Sequence, residues 1–133
     1  MANYNNSFEQ PVGFPVPDWK VCQIPPRSTV SGNWCRVEGL DVKKHTKDLY
    51  NAFLKNNDDS NWTYLRYGPF DSLDEFECWL KNSVTGNDPV FYAVIDLKTE
   101  KATGICAYLR IQPLVGVIEL GNIHFSPLLK KTT

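Results

Sequence analysis

The chain has 133 residues, enough for one domain with a real core and too few for two. Its 42% hydrophobic and 22% charged residues are ordinary globular values, and a formal net charge of -1 gives no electrostatic case for nucleic acid or an anionic membrane. No apolar run approaches the ~18 residues of a membrane span, and MANYNNSFEQ carries no secretory signal, so a cytosolic protein is expected.

Residues 1–30 read as an irregular arm, because Pro11, Pro15, Pro17, Pro25 and Pro26 exclude a helix and disfavour a central strand. Phe14, Val16 and Trp19 are too apolar for a free tail, so the arm is expected to lie on the surface, anchored by Trp19. Its first ten residues are expected to be loose. From residue 31 to 133 the chain reads as one partial domain. NWCRVEG alternates as a short strand, and Asp41 sits at an N-cap position before VKKHTKDLYNAFLKNN. Val42, Leu49, Ala52 and Phe53 share one face of that helix, while His45 falls among the lysines and is expected in solvent. The helix should fade in the polar run from Asn56 to Ser60.

NWTYLRYGPF holds four aromatic residues, among them Trp62, Tyr64 and Tyr67. With Arg66 between them they could stack on a ligand, or they could pin two helices together through their rings. Ser72-Leu73-Asp74-Glu75 is a capping box, and Phe76, Trp79 and Leu80 give the buried stripe of a second helix. Gly86 is expected to supply its C-cap. PVFYAVIDL is apolar enough for a strand buried on both faces. ATGICAYLRIQ and VGVIELGNIHF then form a hairpin around Pro113-Leu114-Val115-Gly116. If Gln112 faces Val117, a regular ladder puts Arg110 opposite Glu119, Cys106 opposite Ile123 and Gly104 opposite Phe125. The class is α+β, with an antiparallel four-stranded sheet, two helices and the order β-α-α-β-β-β.

Little in the spacing alone specifies chemistry. Glu119, mid-strand beside Gly121, is either a proton acceptor in a cleft or the ion-pair partner of Arg110. His124 and Ser126 point to the same side, as a dyad or as a polar strand end, and no nucleophile elbow surrounds Ser126. Two histidines without clustered acids point away from a metal site. Cys22, Cys35, Cys78 and Cys106 lack metal-ligand spacing and are expected as reduced, small apolar fillers.

The block order, ending in ELGNIHFSP, resembles the GNAT acetyltransferases, in the branch similar to enzymes that acetylate ribosomal-protein N-termini. QPVGFPVPDW, CRVEGLDVKKHTKDLYNAF, NWTYLRYGPF, FYAVID and ATGICAYLRI resemble further blocks of that branch, in order. The resemblance implies the N-terminal lobe of the acyl-CoA N-acyltransferase fold and transfer of an acetyl group from acetyl-CoA to a primary amine. It implies cofactor contacts along Asn122, Ile123, His124 and Phe125, with Lys130 and Lys131 at the start of the pyrophosphate loop. Glu119 would be the base or a substrate contact, and Trp62, Tyr64 and Tyr67 would line the acceptor. The resemblance covers the family domain only as far as that loop. The chain is therefore expected to be inactive alone and to associate with itself through an uncovered sheet face or edge. The alternative is a non-catalytic oligomerising or ligand-binding module built on the same lobe.

Overall fold

A carboxylate starts the first helix. Asp41 Oδ1 accepts the Lys44 amide at 2.9 Å, and α1 spans Val42–Leu54. The computed structural model describes residues 4–55 and 59–130, so the expected fading of α1 over 56–58 lies outside the described residues. Leu49, Ala52 and Phe53 are buried, and Val42 packs against the same core. His45 is buried too, against expectation. Its Nδ1 accepts the Asp41 amide at 3.0 Å, which leaves Nε2 to donate to Glu38 Oε1 at 2.8 Å. The neighbouring lysines hid this role, because the partner carboxylate sits in a different element.

A 3-10 turn over Asp59–Trp62 leads to α2, Leu73–Ser83. Ser72 Oγ accepts the Glu75 amide at 3.2 Å, while Glu75 Oε2 reaches back one residue further than a capping box requires, to the Asp71 amide. Gly86 is not the cap: α2 stops at Ser83, and Val84 closes it with right-handed backbone. Trp62, Tyr67, Phe70, Phe76 and Trp79 pack ring against ring between α1 and α2. Each fully buried large apolar side chain in such a core is worth ~1.5–3 kcal/mol over exposure.

The short strands β1 (Tyr4–Asn5) and β2 (Pro11–Val12) pair with each other. Asn6 Oδ1 accepts the amides of Phe8 and Gln10 between them, so residues expected to be loose form a turn. β3 (Val30–Ser31), β4 (Cys35–Gly39), β5 (Val90–Asp96), β6 (Lys101–Gln112) and β7 (Val117–Phe125) make one antiparallel sheet in that order. The four expected strands are present, with the two-residue β3 added at one edge. β5 is buried from Val90 to Ile95, as its unbroken apolar run predicts.

The arm crosses the sheet face opposite the helices. Trp19 Nε1 donates to the Leu114 carbonyl at 2.8 Å, Cys22 N to the Pro113 carbonyl, and Tyr92 OH to the Pro26 carbonyl. The Trp19 ring covers Gly116, where a Cβ would come within 2.4 Å of it; with φ +66, that position suits only glycine. All four cysteines are unpaired, but Cys22 and Cys78 are exposed, so only Cys35 and Cys106 act as fillers.

Candidate functional site

β7 is the last strand of the sheet, so one side of its backbone has no strand neighbour among the described residues. Its pairing with β6 is not the regular ladder expected. Gly104 faces Phe125 and Gln112 faces Val117, but Leu109 faces Glu119 and Ala107 faces Gly121. Two irregularities produce the difference, one at Arg110 (φ 52) and one at Asn122 (φ 48). The contacts expected for Arg110 and Cys106 across the ladder are thus displaced by one residue. Arg110 still reaches Glu119 through its side chain, Nη1 to Oε2 at 3.1 Å. Arg110 is exposed and Glu119 about half-buried, so solvent screens the pair and it contributes little to stability.

Beyond the bulge, Asn122, Ile123, His124 and Phe125 complete β7. Ile123 and Phe125 are exposed, whereas His124 is 3% exposed. The His124 imidazole stacks on Phe53 at 4.2 Å and meets Trp62 edge-on at 3.9 Å. Burial lowers its pKa to about 4, and the Lys130 ammonium pushes the same way. Ser126 Oγ and His124 Nδ1 are buried with no protein partner, and no bond joins them, so the geometry does not make them a dyad. Among the described residues no group of His, Cys, Asp and Glu could hold a metal ion.

The remaining sequence-derived candidates separate. Lys130 Nζ donates to Asn61 Oδ1, tying the turn after β7 to the 3-10 turn; Lys131 lies outside the described residues. Trp62 is buried against His124 and Phe53. Tyr67 stacks on Trp79 at 4.3 Å, and burial raises the pKa of its unpartnered hydroxyl. Tyr64 is 98% exposed. The buried rings of this loop therefore do pin the helices together, and Tyr64 alone among Trp62, Tyr64 and Tyr67 stands in solvent. A small cleft of about 20 Å³ opens beside them, lined by Tyr50, Phe53, Asp59, Trp62, Phe70 and Phe76 among others.

Two acidic residues were missed in the sequence. Glu38 accepts from Lys44, His45 and Arg36 at the β4–α1 junction. The Lys44 ammonium, working against the cost of burial and helped by His45 and Arg36, holds its pKa down at about 2. Asp88 accepts the Arg110 and Ile111 amides, each at 2.9 Å. No local signal marks it, since its partners lie 22 and 23 residues away.

A lobe of this kind, antiparallel with two helices inserted between its first long strands and a bulged strand at its free edge, has solved counterparts. A GCN5-related N-acetyltransferase from Brucella melitensis superposes with a TM-score of 0.83 at 34% identity, over 87% of this chain and 52% of its own. The chain has the GNAT fold. A protein assigned to the GNAT family from Chromobacterium violaceum agrees, with a TM-score of 0.79 at 31% identity over 92% of this chain and 61% of its own. A GNAT-family acetyltransferase from Bacillus anthracis shares the fold at 11% identity and a TM-score of 0.60. The chain thus spans between half and two thirds of the first two GNAT structures. No family model and no curated protein matches it.

Proposed function

We propose that these 133 residues form the acceptor-side lobe of an N-acetyltransferase that moves an acetyl group from acetyl-CoA to a primary amine. The observation that carries this reading is the free edge of β7, bulged at Asn122, in a fold shared with an N-acetyltransferase at 34% identity. Acetyl-CoA supplies the activated acetyl carbonyl. The residues present fit its thioester end: along Asn122 to Phe125 the outer side of β7 has no strand neighbour among the described residues, and the apolar side chains of Ile123 and Phe125 are exposed there. Backbone amides there would donate to the carbonyl oxygen, and as the amine's C–N bond forms the thioester C–S bond would break and coenzyme A would leave as the thiolate. Glu119 lies on the same strand and takes the proton of the attacking amine once Arg110 releases it. Tyr64 contacts the acceptor from the loop ahead of α2, whose Trp62 and Tyr67 rings pack against each other.

In this reading Lys130 and Lys131 begin the pyrophosphate contacts, the remainder are not among these residues, and the lobe alone does not turn over. Four unpaired thiols agree with a reducing compartment, and no described helix is long and apolar enough to cross a membrane. Titrating acetyl-CoA into the 133-residue chain tests both parts. Millimolar acetyl-CoA is expected to shift the Asn122–Phe125 amides in NMR spectra, with no heat of binding at concentrations on the order of micromolar. An absence of β7 shifts removes the acetyl-CoA reading, and micromolar binding removes the incompleteness.

A second reading, an oligomerising module without catalysis, is favoured by one observation. Val117, Ile118, Leu120, Ile123 and Phe125 are all exposed along this edge strand.

A further inference from the structure

The two irregularities of the β6–β7 ladder cancel. Gly104 facing Phe125, Ile105 facing His124 and Gln112 facing Val117 all belong to one register. The three central pairs, Ala107–Gly121, Tyr108–Leu120 and Leu109–Glu119, are offset from it by one residue. A uniform ladder with no bulge would join the same two ends, placing Arg110 opposite Glu119 and Cys106 opposite Ile123. The offset register instead puts two non-glycine residues, Arg110 and Asn122, into left-handed backbone, which costs free energy. Something must favour it.

Two observations identify what does. Arg110 and Ile111 are the residues that share a single opposite neighbour at the first bulge, and both of their amides are taken by Asp88, one by each carboxylate oxygen. Two successive amides around a left-handed residue make an anion seat, here filled by a side chain of the same chain. Across the ladder, the Leu109 side chain lies over Gly121, where a Cβ would come within 2.8 Å of Leu109 Cδ2. The offset register therefore needs both the Asp88 carboxylate and the missing Cβ of Gly121.

We propose that Asp88 is a positioning residue whose carboxylate holds the offset register of β6 and β7, and so sets how Glu119 is presented and where β7 bulges at Asn122. A one-residue slip moves side chains to the opposite face of a strand. The register thus decides which way Glu119, Leu120 and Gly121 point. It also decides whether the ladder opens at the residue where the proposed thioester contacts begin. Asp88 sits in the α2–β5 loop, outside that site, and acts on it only through β6. The functional meaning rests on the reading of β7 given above, but the register can be measured without any cofactor.

Cross-strand NOEs on the labelled full chain read the register directly. The native protein is expected to show Leu109–Glu119 and Ala107–Gly121 contacts. In Asp88→Ala these should give way to backbone Arg110–Glu119 and Cys106–Ile123 contacts, distinct from the side-chain ion pair of Arg110 and Glu119 already present in the native chain, with the Arg110 and Ile111 amides exchanging about tenfold faster. Adding Arg110→Gly removes the cost of left-handed backbone and should restore the Leu109–Glu119 contact in the Asp88→Ala background. A merely destabilising role for Asp88 would not produce that rescue. If Asp88→Ala does not fold, Asp88→Asn carries the test: with one acceptor oxygen in place of two, it should show both sets of contacts. Either folded variant keeping the native contacts alone overturns the proposal.

Discussion

His124 reaches the core from the strand that the proposed chemistry uses. Its ring is clamped between Phe53 and Trp62, and protonating it there places a charge among aromatic rings with Lys130 close by. Its pKa is about 4 in the folded chain against 6.5 for an unperturbed histidine, so the unfolded chain binds the proton more readily. The resulting stability is complete above pH 6.5 and is lost as the pH falls through 4. With screening allowed for, the loss should be about 2 kcal/mol. Urea melts of the native chain and His124→Phe between neutral pH and pH 4 measure it, and an equal pH slope in both proteins would refute the assignment. Single residues were also where the sequence misled most. His45 reads as a surface residue because lysines surround it, and only the fold brings Glu38 to its Nε2.

Elements with local causes were legible. The start of α1 rests on one side chain three residues from the amide it binds, and its buried face on a 3.6-residue period. Replacing Asp41 by alanine should therefore cost about 1 kcal/mol, since the N-cap bond is lost and the Asp41 backbone bond to His45 remains. A lower urea midpoint at unchanged m-value would report it, and an unchanged midpoint would show that tertiary packing alone holds α1. The hairpin was legible in its ends and not in its middle. Alternation and the turn set Gln112 against Val117, but the offset in between depends on Asp88, which arrives from another loop. The C-cap of α2 failed for a related reason: Gly86 sits in the loop that carries Asp88, and its carbonyl accepts from Arg27 of the arm. The candidate site was legible as a strand and illegible as a shape.

At the scale of the molecule, the arm is bound across the sheet face that lacks helices, and Phe125 and Leu129 close over Gly104 on the sheet. The large exposed apolar side chains on the sheet are concentrated on β7 and the turn before it, from Leu114 to Phe125. Within the sheet β7 is thus the strand most open to pairing with another chain, although its bulge at Asn122 interrupts the flat edge that strand pairing needs. Light scattering across a concentration series should show mass rising above the monomer, and Leu120→Lys, placed on the exposed stretch, should suppress the rise. A constant monomer mass would remove the oligomerising reading.

The Trp19 indole donates to a carbonyl 95 residues away, at the tip of the last hairpin. That acceptor exists only after Pro113–Gly116 has turned, so a segment made well before the hairpin can dock only after it. Closing so long a loop carries a larger entropic cost than any turn in the sheet, and that cost is met only when the hairpin is already in place. The arm is therefore a record of the order of assembly, made before the hairpin and docked after it.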